Sequence, residues 1–144
     1  MSSRQNPQGN LMTSPRARRI SLALSLLGIM ISIYLTAYHY AGIPLACPTG
    51  GIINCENVLN SSYAYLLGVP IAVFGVAFFA VEILLLLRMR SEDALAIWNA
   101  LGIGFVVYFI YLEKLVGNIC IFCTAVHVIV LLLLAVTLYD MGRH

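Results

Sequence analysis

Four long apolar runs divide the chain, at about residues 20–41, 69–87, 94–112 and 120–139. A helix needs about 20 mostly apolar residues to cross the hydrocarbon core of a bilayer, and each run is close to that length. The runs are uninterrupted, which distinguishes them from the alternating pattern of strands in an outer-membrane barrel. The pattern therefore predicts an all-α fold, a transmembrane four-helix bundle over residues 20–139.

Polar segments flank and connect these runs. Residues 1–19 are rich in Ser, Pro, Gly and Arg, which predicts a disordered tail, and residues 140–144 form a second, short tail. A signal peptide is the alternative interpretation of the first run. We disfavour it because the apolar run is too long for such a peptide and Tyr38-His39-Tyr40 is a poor cleavage site. The longest connection, residues 42–68, lies between the first and second runs.

Composition supports the membrane assignment. Hydrophobic residues make up 61% of the chain and charged residues only 10%, whereas a soluble domain has about 45–50% and about 25%. Too little polar surface is left to cover a globule in water. The same composition excludes a disordered chain, which needs low hydrophobicity, and a nucleic-acid-binding protein, which needs a dense basic face.

The basic residues predict how the bundle is oriented. Seven of the eight Lys and Arg residues lie before the first run, between the second and third, or after the fourth. Cytoplasmic segments collect Lys and Arg, so both termini are expected in the cytoplasm. The long connection 42–68 and the connection that contains Lys114 are then expected on the outer, extracytoplasmic side.

All four cysteines fall on that outer side, in two pairs. Cys47 and Cys55 lie in the long connection, and Cys120 and Cys123 open the fourth helix. Disulfides form and persist outside the cytosol, so redox exchange between the pairs is the favoured interpretation. Static disulfides, with three possible connectivities, are an alternative, as is a four-thiolate zinc site. We expect no metal, because the first pair lacks the spacing of a zinc knuckle.

The sequence Cys120-Ile121-Phe122-Cys123 is the stronger of the two signals. At the start of a helix, the first sulfur lies near unpaired N–H groups and the positive end of the helix dipole, which favours a thiolate on Cys120. Cys123 lies on the same helix face, and His127 follows four residues later. The loop run 47–51 is rich in turn formers, which predicts a flexible segment able to exchange disulfides with the helix pair.

An electron relay of this kind needs a final acceptor. The sequence contains no nucleotide-binding fingerprint and no haem or iron–sulfur motif. A lipid-soluble carrier is left, and a quinone such as ubiquinone or menaquinone is the expected cofactor. We expect His127 to donate a hydrogen bond to a quinone oxygen. Its alternative role is that of a bundle histidine bonded to a backbone carbonyl.

These residues resemble the vitamin K epoxide reductase family over about residues 20–139. The spacing of Cys47 and Cys55 matches the loop pair of the family, and Cys120-Ile121-Phe122-Cys123 matches its active-site C-x-x-C. The run Cys55-Glu56-Asn57-Val58-Leu59-Asn60-Ser61 resembles its Cys-x-x-Val-x-x-Ser signature. Gly68-Val69-Pro70 followed by Phe74-Gly75 is similar to the prokaryotic form of the second helix.

The resemblance implies a four-helix bundle around a quinone, capped by the outer loop. It implies that Cys123 is the thiolate that contacts and reduces the quinone, and that Cys120 exchanges with the loop pair. Cys47 and Cys55 would receive electrons from a reduced substrate protein. Ser61 would lie near the quinone, although capping of a short helix is its alternative role.

The function expected on these grounds is that of a membrane oxidoreductase that supports disulfide-bond formation. Many bacterial relatives carry a fused thioredoxin-like domain, and here we expect a separate DsbA-like thioredoxin-fold partner. Reduction of vitamin K epoxide or vitamin K quinone is the first alternative. It is disfavoured because His127 stands where vertebrate members have Tyr. The second alternative is a non-catalytic membrane scaffold held by static disulfides.

Overall fold

A computed structural model of the chain describes residues 15–44, 50–51, 53–89 and 91–142. These residues contain five α-helices: α1 Pro15–Ala41, the short α2 Cys55–Asn60, α3 Ile71–Leu84, α4 Glu92–Val116 and α5 Ile121–Gly142. Helix α3 continues as a π-helical turn, Leu85–Met89. Within the described residues, four helices are long and apolar enough to cross a membrane, namely α1, α3 with its π turn, α4 and α5. The predicted all-α four-helix bundle is confirmed.

The helices extend beyond the predicted apolar runs. Helix α1 begins at Pro15, so that residues 15–19 of the predicted tail are helical, and residues 1–14 lie outside the described part. Helix α5 continues to Gly142 and buries Asp140. Hydrophobicity marks the part of a helix that contacts lipid, whereas the polar turns at its ends remain helical through backbone hydrogen bonds.

Small residues form the buried face of α1, at Ser21, Ser25, Gly28 and Ser32. The first of two close contacts with α3 places the Phe79 ring against Gly28, and the second places Gly75 against Ser32. Small side chains let helices approach closely in a membrane, where dispersion contacts rather than the hydrophobic effect hold them together. Helix α1 packs mainly against α3 and α5, and α4 packs against α5.

A buried polar pair joins α3 to α4. The side-chain amide of Asn99 donates to Glu82 Oε1 at 3.1 Å, and neither side chain has any exposed surface. An acidic residue near the end of a spanning helix can also snorkel to the interface or pair with a nearby cation such as Arg88. The donor is Asn99, while Arg88 is exposed. Glu82 therefore does not snorkel.

The connection between α1 and α3 folds over the bundle end that carries the cysteines, which we call the cysteine end. It contains α2, a 3-10 turn at Ser62–Ala64, and a hairpin of β1 Tyr65–Leu66 and β2 Val69–Pro70. The antiparallel register pairs Tyr65 with Pro70 and Leu66 with Val69. Both turn residues of the hairpin, Leu67 and Gly68, have positive φ, as a tight two-residue hairpin turn requires.

Candidate active site

A tight turn between α4 and α5 positions the C-x-x-C pair. Gly117 ends α4 in the left-handed conformation, φ 82°, and its N–H donates to the carbonyl oxygen of Glu113 at 2.9 Å. This is the usual C-terminal cap that glycine provides. Three residues later Cys120 precedes the first residue of α5, and its sulfur accepts the N–H of Cys123 at 3.3 Å. Cys120 therefore occupies the position in which Ser or Asp normally caps a helix.

This position changes the acidity of Cys120. The pKa of its thiol is lowered from the ordinary value, chiefly by a hydrogen bond from the Cys123 side chain. Burial acts against this lowering, and the N–H groups of Cys123 and Phe122 add to it. The negative charge of Glu113 raises the pKa again, but it is the smallest of the contributions. The net direction is the one expected for a cysteine at the start of a helix.

Helix α2 packs on this turn. The contacts involve Asn54, which precedes Cys55, and Ile119, which precedes Cys120. The N–H of Asn54 donates to the carbonyl oxygen of Ile119 at 3.1 Å, next to a parallel bridge between Ile53 and Ile119. A side-chain hydrogen bond from Asn57 to Asn118 adds a second link. The first residue of α2, Cys55, is thereby held beside the turn that carries Cys120.

Cys55 and Cys120 belong to the same buried apolar cluster, and neither has any exposed surface. The other buried members of this cluster are Leu35, Val58, Leu59 and Ala72. Cys55 is disulfide-bonded, whereas Cys120 and Cys123 are free thiols. Cys47 and most of the predicted flexible run lie outside the described residues. The roles assigned to Cys47 and to that run therefore remain predictions.

A cavity of about 300 Å³ lies between the helices at the cysteine end. Its walls are mostly aliphatic and aromatic side chains from all five helices. Three of the five described residues predicted for the site line it, namely Cys123, His127 and Ser61. The other two, Cys55 and Cys120, are buried together in the neighbouring apolar cluster. The structure thus separates the two helix thiols, one toward the cavity and one toward the docked loop.

His127 is buried and lies one helical turn below Cys123 on α5. Its ring stacks on Phe109 of α4, with ring centroids 6.2 Å apart and planes at 26°. Within the described residues, its imidazole forms no hydrogen bond, and in particular none to a backbone carbonyl. The ring is therefore available to a molecule in the cavity.

Ser61 closes the end of α2 and also lines the cavity, while its predicted position near a quinone stays a prediction. Its hydroxyl donates to the carbonyl oxygen of Val58 at 2.8 Å and so completes the C-terminal end of α2. The same side chain lines the cavity. Its backbone N–H also bonds to Val58, so Ser61 holds the short helix over the cavity mouth.

Two polar residues of the cavity wall were missed by sequence reasoning. Glu113 of α4 lines the cavity beside Cys123, and His39 of α1 lines it near the hairpin. His39 Nδ1 lies 3.4 Å from the hydroxyl of Tyr65. Glu113 could have been found from the sequence as a carboxylate seven residues before Cys120, the first cysteine of the C-x-x-C. The third apolar run ends at about residue 112, just before Glu113, so the hydrophobic pattern does not place this side chain in a cavity.

Four spanning helices and a dithiol that opens onto an apolar cavity define an integral membrane protein suited to thiol-based redox chemistry. The vitamin K epoxide reductase family model matches residues 19–138, and the chain belongs to this family. The chain is also similar to the thiol-disulfide oxidoreductase LTO1 of Arabidopsis thaliana, with 31% identity over 104 residues. That match covers 62% of this chain and 27% of the relative, so the chain spans about a quarter of the relative's length. The family and this relative support a thiol-based redox function.

Proposed function

We propose that the chain is a thiol–quinone oxidoreductase that supports disulfide-bond formation. Electrons pass from the reduced thiols of a thioredoxin-fold partner to the pair Cys47 and Cys55, then to Cys120 and Cys123, and finally to a membrane quinone. The observation that carries the proposal is the placement of Cys55 and Cys120 in one buried cluster beside the Asn54–Ile119 hydrogen bond. Disulfide exchange needs close, in-line approach of two sulfurs, and this docking supplies the proximity.

Each transfer is balanced in atoms and electrons. A partner dithiol reduces the loop disulfide and leaves as a disulfide. The loop dithiol next reduces the Cys120–Cys123 disulfide, with Cys120 as the sulfur exchanged. The restored Cys120–Cys123 dithiol loses two electrons and two protons as its sulfur–sulfur bond forms again. The structure contains the bonded state of Cys55 together with free Cys120 and Cys123, which is the state that precedes this last step.

The cavity fits a quinone ring. Its volume of about 300 Å³ is at the lower end of ligand pockets, which span about 300–1,000 Å³. A bound quinone accepts two electrons and two protons and becomes a quinol. Phe109 holds the imidazole of His127 at the cavity wall, where its N–H can donate to a carbonyl oxygen. Cys123 lines the same wall one turn away, so its sulfur and the imidazole reach one ring together.

The orientation in the membrane is part of the proposal. The charge distribution favours both termini in the cytoplasm, which puts the cysteine end on the extracytoplasmic side. A thioredoxin-fold partner of the DsbA kind would meet the loop there. Labelling of intact cells with a membrane-impermeant thiol reagent, after mild reduction, should reach the cysteine end. Labelling only after the cytoplasmic face is opened would contradict this orientation.

The relay is tested with purified full-length protein, a reduced thioredoxin-fold protein and a series of quinones. We expect quinol formation with the wild type and none with Cys123→Ala, which should retain the Cys55 disulfide until the reduced protein is added. Cys123→Ala that still forms quinol would remove the proposed electron path. Vitamin K epoxide is included as a substrate, and turnover of the epoxide in preference to quinones would favour the alternative reductase function. Failure of the thioredoxin-fold protein to reduce either cysteine pair, together with no quinol formation, would favour the static scaffold.

A further inference from the structure

The carboxylate of Glu113 does not stabilise the fold through any contact of its side chain with the described residues. Glu113 lies in the last turn of α4, at the negative end of the helix dipole, where an acidic side chain does not stabilise a helix. Its side chain forms no hydrogen bond or ion pair with any residue of the described ranges. Only its backbone carbonyl has a structural role, as acceptor of the Gly117 N–H. The side chain is half-buried and lines the cavity.

The packing of α4 on α5 places this carboxylate at the level of the dithiol. Phe109 and His127 stack face to face and so fix which turns of the two helices oppose each other. The helices are antiparallel, because the short turn at Gly117 joins them. Glu113 lies one turn beyond Phe109, and Cys123 one turn before His127. Both are therefore displaced toward the cysteine end by about 6 Å, at 1.5 Å per residue.

The proposed reaction needs proton transfer inside an apolar space. The titratable side chains that line the cavity among the described residues are Glu113 on α4, Cys123 and His127 on α5, and His39 on α1. Helices α2 and α3 line the cavity with apolar residues and, among the described residues, contribute no titratable side chain to it. His39 is engaged with the hydroxyl of Tyr65, and His127 is one turn deeper than the sulfur. Glu113 is the carboxylate that shares the level of Cys123 and also exerts its charge on Cys120.

We propose that Glu113 is a further catalytic residue, which carries a proton from the Cys123 thiol to a quinone oxygen. This inference rests on the proposed function and extends it. As the Cys120–Cys123 bond forms, the dithiol loses two electrons to the quinone, and the carboxylate of Glu113 takes the proton of Cys123. Glu113 then returns this proton to one oxygen of the reduced ring. The proton of Cys120 is released to water, and water supplies the second proton of the quinol.

The test is single-turnover quinol formation by the reduced full-length protein, measured over a range of pH in water and in deuterium oxide. General acid–base groups contribute about 10²–10⁴-fold to rates. We expect Glu113→Gln to slow quinol formation by at least about 10²-fold, with little change in the quinone concentration that gives half the maximal rate. The wild-type rate should fall at acidic pH, as the carboxylate gains a proton and can no longer act as a base. Glu113→Gln should lack this acidic limb.

Two variants separate proton transfer from a structural effect. Glu113→Asp keeps a carboxylate and should restore part of the rate together with the acidic limb. Lys114→Gln changes the exposed neighbour and should behave as the wild type. Glu113→Gln with the wild-type rate and pH profile would overturn the role of Glu113 while leaving the relay intact. Glu113→Asp that folds but is as slow as Glu113→Gln and lacks the acidic limb would also overturn it. A wild type that reduces no quinone would instead overturn the proposed function.

Discussion

Asn54 donates its backbone N–H to the carbonyl oxygen of Ile119, and each of these residues immediately precedes a cysteine. A single main-chain hydrogen bond thus joins a loop segment to the turn that opens α5. Main-chain atoms do not depend on side-chain rotamers, so the separation of Cys55 and Cys120 is set by the backbone. The distance between the two cysteines therefore depends on how α2 is docked.

We expect Asn54→Ala to slow electron transfer from the loop pair to the helix pair. The Asn54 side chain caps α2 by accepting the N–H of Asn57 at 3.0 Å, and loss of such a cap costs about 0.5–2 kcal/mol. Asn54→Ser keeps a capping oxygen and serves as the control. Rapid-quench trapping of the free thiols measures the transfer. Equal transfer rates in the alanine and serine variants would contradict the role of the cap.

Titration of Cys120 should show a thiolate below the ordinary pH range of cysteine. Because the hydrogen bond from Cys123 is the largest cause of the lowered pKa, Cys123→Ala should move the titration to higher pH. The sign follows from which form is stabilised, since a donor to the sulfur favours the charged form. Ultraviolet thiolate absorbance against pH measures the shift, with the loop disulfide kept intact. An unchanged titration in Cys123→Ala would show that another group activates Cys120.

His127→Leu should weaken quinone binding. A typical hydrogen bond contributes about 0.5–1.5 kcal/mol net, so an increase in KM of roughly twofold to tenfold is expected. Val128→Leu is the matched control, because Val128 is exposed at the next position of the same helix and does not line the cavity. Steady-state kinetics with a water-soluble quinone measures both variants. Normal quinone affinity and turnover in His127→Leu would exclude the proposed hydrogen bond.

The two glycines of α4 should respond differently to alanine. A Cβ at Gly102 would lie 2.7 Å from Phe78 ring atoms and 3.0 Å from Val130 Cγ1, whereas a Cβ at Gly104 meets nothing within 4 Å. Phe78 is stacked on Trp98, so its ring must move into the cavity, and such overpacking costs about 1–3 kcal/mol. We expect Gly102→Ala to lower both thermal stability and quinone affinity. Gly104→Ala should leave both unchanged or raise stability slightly, and similar losses in the two variants would contradict the packing shown here.

Asn99→Leu should destabilise the bundle by about 1–3 kcal/mol, because the buried Glu82 loses its hydrogen-bond donor. The double variant Glu82→Leu/Asn99→Leu removes both polar groups and should be more stable than Asn99→Leu alone. Ala100→Leu adds the same side chain at the next, exposed position and is the control. Thermal unfolding in detergent compares the variants. A double variant no more stable than Asn99→Leu would show that the pair is not coupled.

The sequence predicts the helices well because membrane spans are encoded by local composition. It also places Cys120 and Cys123 on one face at a helix start, since that depends only on helical spacing. Glu113 and Cys123 lie at the same height in the bundle because Phe109 of α4 stacks on His127 of α5. This contact joins two different helices, so no local sequence pattern predicts it. Gly102 and Gly104 illustrate the same limit. Both stand in a membrane helix, where small residues typically allow close approach, yet of the two only Gly102 has a neighbour within 4 Å among the described residues.

The complete burial of Cys55 and Cys120 limits which molecules can react with their sulfurs. A sulfur without exposed surface gives no line of attack to a small soluble thiol or disulfide. Thiols of the size of glutathione, dissolved in the same compartment, therefore cannot attack the sulfur of Cys55 or of Cys120 directly. Under the proposed function, these two sulfurs would exchange with each other and would be shielded from the bulk redox buffer.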